Sequence, residues 1–155
     1  VHGQNKRYHH KYIGMGGRLD TIQAAILLAK LPHYAKEIEC RNRVAQAYTE
    51  QLSETVRTPV VKTDRTSVWA QYTVRVQNRD QLQKKLKQQG IPTAVHYPMP
   101  LHRQECFQYL GLKQGDFPIA EKVAQEVMSL PMNPFLTDEE IAYIVNTLKR
   151  SIKTP

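Results

Sequence analysis

Apolar side chains recur over residues 19–30 at Leu19, Ile22, Ile26 and Ala29, the spacing of one helix face, with Asp20 at the positive N-terminal end. Pro32 interrupts that run. A second stripe, Ile38, Ala45, Tyr48 and Leu52, predicts a helix over residues 33–52 with Lys36, Glu37, Glu39, Arg41 and Arg43 among its neighbours, so the two read as one long, bent helical arm. A short extended stretch at 58–62 and the polar loop TDRTS follow. In VWAQYTVRV, Val68, Ala70, Tyr72, Val74 and Val76 alternate with Trp69, Gln71, Thr73 and Arg75, which predicts a half-buried strand over 68–76. Leu82 and Leu86 mark a polar amphipathic helix over 80–89, stopped by Gly90. Residues 93–97 read as a short strand leading into HYPMPLH, whose Pro98 and Pro100 stiffen the backbone and forbid a regular helix or central strand. A helix over 118–128 begins on a proline, and 129–132 adds a short strand. The last helix opens on the capping-box pattern Thr137-Asp138-Glu139-Glu140 and continues with Ile141, Ile144, Val145, Leu148 and Ile152 on one face.

Short strands interleaved with helices after a helical arm predict a small α+β domain, with a short, mainly antiparallel sheet covered on one side by helices. The 155 residues are one domain's worth of chain, and 41% hydrophobic with 23% charged residues argues against collagen-like, disordered and coiled-coil classes. No apolar run approaches the roughly 20 residues that span a bilayer. No internal repeat or low-complexity linker is visible. The chain begins at Val1 with VHGQNKRYHHKY, which lacks the apolar stretch of a secretory signal and reads as the start of a piece of a longer protein.

Charge complicates this picture. The formal net charge is +8, and it is lopsided: residues 1–90 carry 16 basic and 7 acidic side chains, residues 91–155 carry 6 and 7. A basic half fits a nucleic-acid face, an acidic partner or a phosphate-bearing ligand, and a solvated surface with surplus lysine accounts for it equally well. Cys40 and Cys106 stand far apart with no CxxC pairing, which argues against a disulfide framework or structural zinc and favours a reducing, cytoplasmic setting.

Three stretches carry candidate chemistry. In Gly14-Met15-Gly16-Gly17-Arg18 the glycines permit close backbone approach to a ligand, and Arg18 at a helix start suits a phosphate or carboxylate; a plain interdomain turn explains the stretch as well. No strand precedes it and its spacing is not GxGxxG, so a dinucleotide-binding reading is rejected. His96, Tyr97 and His102 on the proline frame can offer hydrogen bonds and an aromatic surface to a polar ring, although His96 as a satisfied half-buried histidine is the simpler alternative. Metal binding fits poorly, with Glu105 the nearby carboxylate. The opening, with His2, His9 and His10 among Lys6, Arg7, Tyr8, Lys11 and Tyr12, has the basic and aromatic mixture that tracks a nucleic-acid backbone, but no recognition-helix or RNA-binding sheet signature accompanies it.

The runs HGQNKRYHHKYIGMGGRLDTIQAAILLAKL, ECRNRVAQAYTEQL, VWAQYTVRV, GIPTAVHYPMPLHRQECF and FPIAEKVAQEVMSLPMNPFLTDEEIAYIV together resemble, in order and over nearly the whole chain, the C-terminal part of DegT/StrS-type sugar aminotransferases. HYPxPLH and SLPMxPxL are the specific elements. The resemblance implies pyridoxal-phosphate enzymes of the aspartate-aminotransferase fold, usually moving an amino group from glutamate to a keto group of a nucleotide-linked sugar, for surface polysaccharide in the members most alike in wording. It implies a homodimer, with neither nucleic acid nor membrane as partner. It divides the chain into a connection and Gly-rich turn (1–18), the arm (19–54) and the small C-terminal domain (55–155).

The same resemblance places the Schiff-base lysine, in a Ser-x-x-x-x-Lys stretch followed by GDGG, in an N-terminal domain that these 155 residues do not contain, so this chain alone is expected to be inactive with no catalytic residue of its own. Arg18 corresponds to an arginine suited to the anionic part of the substrate. His96 and Tyr97 match an HY pair bordering the nucleotide-sugar site. Gly16 stands where the family's GxNxRxD has an Asn directed at the cofactor phosphate of the neighbouring subunit, so a backbone N–H, a water or other groups must take over that contact. The alternative is a basic nucleic-acid-binding domain, or a sensor or scaffold without catalysis.

Overall fold

A computed structural model describes residues 2–153 and opens on an element the periodicity did not predict. Strands β1 (Gln4–Lys6) and β2 (His9–His10) form a small antiparallel hairpin whose register shifts between Gln4 and Lys6. Its two-residue turn is Arg7-Tyr8, with Tyr8 in the left-handed region at φ 64°.

The arm follows as α1 (Thr21–Lys30), a single 3-10 turn at Leu31–His33, and α2 (Tyr34–Leu52). Asp20 caps α1 in a capping box with Gln23, whose Oε1 accepts the Asp20 N–H at 3.3 Å. Pro32 sits in the first turn of the 3-10 segment, where its missing N–H costs nothing, so the helical path bends and continues. Burial divides the arm: α1 contains no buried residue, whereas Val44, Ala45, Tyr48 and Leu52 of α2 are all in the core.

Strand β3 (Tyr72–Arg75), helix α3 (Arg79–Gln88), helix α4 (Pro118–Glu126), strand β4 (Val127–Leu130) and helix α5 (Asp138–Lys153) complete the chain, with 3-10 turns at Leu101–Arg103 and Glu105–Leu110 in the proline-rich connection. β3 and β4 pair antiparallel from Tyr72↔Leu130 to Arg75↔Val127. α5 packs against α2 and α3, and Tyr48, Leu52, Tyr72, Leu86, Met128 and Leu148 close the core between helices and sheet. The fold is thus the expected small α+β arrangement with short antiparallel sheets.

Three expected elements differ. The strand expected over 68–76 keeps only Tyr72–Arg75, because Trp69 turns left-handed at φ 48° and brings its ring 5.5 Å from Tyr72 against the core, leaving Val68 exposed. Residues 93–97 form no strand among the described residues. A single bridge joins Ala94 and Ser129 through two backbone hydrogen bonds, with prolines at 92 and 98 on either side. Helix α4 ends at Glu126, two residues before its expected end, and the following strand begins at Val127 instead of 129, because Val127 and Met128 are taken as partners by Arg75 and Val74. Arg75 also ties β3 to the end of α4, with Nε and Nη2 both donating to Glu126 Oε2 at 3.0 and 2.7 Å.

Candidate functional site

The hairpin, the proline-rich connection and α4 line an open cavity of about 900 Å3. Its lining joins Tyr8, His96 and Tyr97 to aliphatic and aromatic groups such as Leu101, Phe117 and Val123, and includes no Lys, Arg, Asp or Glu. A second cavity of about 710 Å3 lies among the end of α2, β3 and α3, but no aromatic or imidazole group lines it.

The sheet orients the first imidazole. His96 Nδ1 and Ser129 Oγ share a hydrogen bond at 3.2 Å, and Ser129 Oγ in turn shares one at 2.8 Å with Thr73 Oγ1, so a polar chain runs from the β3–β4 pair to the site. Ser129 is buried and Tyr97 is 64% exposed, so the pair presents an anchored ring beside an open one. The His96–Tyr97 peptide bond is cis.

Gln104 brings the hairpin to this edge. Buried at 5% exposure, it accepts the His10 N–H at 2.9 Å through Oε1 and donates from Nε2 to the Tyr8 carbonyl at 3.0 Å. Both halves of the amide are thereby satisfied by backbone more than ninety residues away in sequence. The Tyr8 ring then stands edge-on to His96 and Tyr97, with centroids 6.4 and 5.7 Å apart.

His102 lines the same cavity but serves a different task. Its Nε2 lies 2.8 Å from Glu121 Oε1, which also accepts the Gly115 N–H at 2.8 Å. The Gly115 amide first, and the His102 hydrogen bond second, hold the Glu121 carboxyl below its ordinary range; a carboxylate only accepts, so His102 Nε2 carries a proton. Phe117 packs 4.9 Å from the His102 ring. The pair clamps the proline-rich connection to α4.

Of the sequence candidates, His96 and Tyr97 come together at this cavity. Arg18 is exposed and is not among its lining residues. Gly16 is not either, but it lies against His2, which is: a Cβ at Gly16 would stand 2.1 Å from His2 Cε1, so the imidazole fills the space that a side chain at 16 would need. Gly3 is still more confined, since a Cβ there would meet the Tyr12 carbonyl oxygen at 1.8 Å. Sequence reasoning missed Gln104, Ser129 and the Glu121 partner of His102. Only the Tyr8-bearing opening was signalled, by its mixture of basic and aromatic residues.

Comparison with known proteins gives this geometry a family. The pattern described as the DegT/DnrJ/EryC1/StrS aminotransferase family matches residues 1–149. The chain belongs to this family. It is 45% identical over 148 residues to the UDP-2-acetamido-2-deoxy-3-oxo-D-glucuronate aminotransferase of Pseudomonas aeruginosa, covering 95% of this chain and 40% of that protein. It is 46% identical over 152 residues to the pleiotropic regulatory protein of Geobacillus stearothermophilus, covering 96% and 41%. Among solved structures, DesV of S. venezuelae in complex with a ketimine intermediate superposes with a TM-score of 0.82 at 31% identity, covering 99% of this chain and 42% of that one. The chain therefore spans about two fifths of the length of the relatives it matches. Among the described residues, no helix is long and apolar enough to cross a membrane.

Proposed function

We propose that this chain is the C-terminal part of a pyridoxal-phosphate-dependent aminotransferase that transfers an amino group from glutamate to a keto group of a nucleotide-linked sugar. The observation that carries the reading is the convergence of His96 and Tyr97 on one cavity beside the basic hairpin, within a chain 45% identical to an aminotransferase named for a UDP-linked 3-oxo sugar. In this reading His96 and Tyr97 border the nucleotide-sugar, Arg18 meets its anionic portion, and the backbone at Gly16 lies near the cofactor phosphate. The uncovered apolar face of α1 supports a homodimer, and surface-polysaccharide or amino-sugar synthesis is the process served.

The residues present do not make a cofactor site by themselves. A pyridoxal aldehyde needs a lysine amine and its ring nitrogen a facing carboxylate, and the cavity lining supplies neither. No chemical step is assigned to these residues. Their role is to hold and orient the sugar nucleotide, and this chain alone is inactive.

The name of the Geobacillus relative favours a second reading, a regulatory or scaffold protein that keeps the fold without catalysis. Assaying the full-length protein separates them. Purified and loaded with pyridoxal phosphate, it is expected to convert at most one equivalent of glutamate per site to 2-oxoglutarate by itself and to turn over repeatedly once a UDP- or dTDP-linked keto sugar is added as acceptor, while the 155-residue chain does nothing. No 2-oxoglutarate with any such sugar would leave the regulatory reading standing.

A further inference from the structure

Tyr8 occupies a backbone position that a tyrosine disfavours. At φ 64° it sits in the left-handed region, where Gly or Asn is at ease and a bulky side chain is not. Such an outlier persists only where its surroundings enforce it, and here they do: Gln104 holds the Tyr8 carbonyl at 3.0 Å and the His10 N–H at 2.9 Å, both on the side where the turn runs into β2. The ring so aimed is half-buried, edge-on to both His96 and Tyr97, on the wall of the 900 Å3 cavity. The Arg7 guanidinium lies 5.0 Å from the centroid of the same ring and donates from Nη2 to the Tyr8 hydroxyl at 3.3 Å. Arg7 is exposed and outside the cavity lining, so the ring offers a π surface to a base within the cavity while the guanidinium stays in solvent, where the diphosphate of a nucleoside diphosphate carries its charge.

We propose that Tyr8 is a third ligand-contacting residue of the His96–Tyr97 edge, against which the base of the nucleoside diphosphate packs. The proposal rests on reading that edge as the nucleotide-sugar border. It explains why the turn keeps a tyrosine where glycine would relax the backbone.

Titration calorimetry of UDP and of dTDP with the full-length protein tests it, using Tyr8→Gly, Tyr8→Leu, Tyr8→Phe, His96→Ala and Tyr97→Ala. Tyr8→Gly, which suits the local φ, is expected to weaken binding roughly five-fold or more with an unchanged melting temperature, while Tyr8→Phe stays within about two-fold of the parent. Tyr8→Leu keeps apolar bulk without the π face and reads the same loss should the glycine loosen the hairpin. Parental affinity in both Tyr8→Gly and Tyr8→Leu, with His96→Ala or Tyr97→Ala weakened, would overturn the role of Tyr8 and leave the edge intact. Parental affinity in all the variants, or no binding of either nucleotide by the parent protein, would overturn the edge and Tyr8 with it.

Discussion

Glu121 is ionised more readily than an ordinary glutamate because the Gly115 N–H and then the His102 ring stabilise its charged form. The folded-state pKa is thus depressed, so the stabilisation is present above the unfolded value of about 4.5 and is lost as pH falls through the folded value. Glu121→Gln is therefore expected to lower the melting temperature near neutral pH, with a deficit that shrinks in more acidic buffer and closes once the parent carboxyl is protonated. Thermal melts from about pH 7 to about pH 3 check this, and a constant deficit across that range contradicts it. At this scale the residue types were legible and their partners were not. His102 stands close to Glu105 in sequence, yet its carboxylate partner is Glu121, nineteen residues on, and Glu121 is chosen because α4 folds back over the proline-rich connection. His96 and Tyr97 stood out on their proline frame, whereas the Ser129 that orients His96 is an ordinary strand residue until β4 is paired.

The switch from α4 to β4 at residues 126 and 127 is stabilised from another element. Arg79, at the start of α3 and 9% exposed, donates from Nη1 to the Val127 carbonyl at 3.0 Å and the Ala124 carbonyl at 3.3 Å, while its Nε pairs with the Asp80 carboxylate. The Ala124 carbonyl belongs to the last turn of α4, where helix carbonyls lack an intrahelical N–H, and the Val127 carbonyl to the first residue of β4. Replacing Arg79 with Met leaves them buried and unpaired, and is expected to cost about 2 kcal/mol in urea unfolding; a loss below about 0.5 kcal/mol would show that water reaches them instead. Of the five α-helices among the described residues, four were located by an apolar stripe and α4 by the proline at its first turn, because both signals need only local chain. Strand limits were less legible. Alternation ran on past Tyr72 to Val68, but the Trp69 turn decides where the ladder stops, and that turn is held by a partner on α2: Arg41 Nη1 donates to the Trp69 carbonyl at 3.1 Å.

Across the whole molecule, the arm is half committed. The apolar face of its first part lies open, with Ile22 72% and Leu28 71% exposed, while Val44, Ala45, Tyr48 and Leu52 of α2 are buried and α2 packs on α5. An apolar face of this kind left in water drives association. The 155-residue chain is expected to self-associate at micromolar concentration, and Ile22→Lys with Ile26→Lys to shift it towards monomer in sedimentation velocity. A monomeric parent chain would mean that α1 folds back elsewhere. The basic charge of residues 1–90 also acquires a place, since Lys6, Arg7 and Lys11 belong to the hairpin beside the candidate site. The sequence by itself determined the helices, the α+β class, the family and the two residues of the HY pair, because each depends on local spacing or on a contiguous motif. Only the tertiary structure decided that Tyr8, Gln104 and Ser129 join that pair, that His102 answers to Glu121, and that the arm is buried at one end and bare at the other. Those outcomes depend on which distant segments share a hydrogen bond or a face, and chain separation carries no record of that.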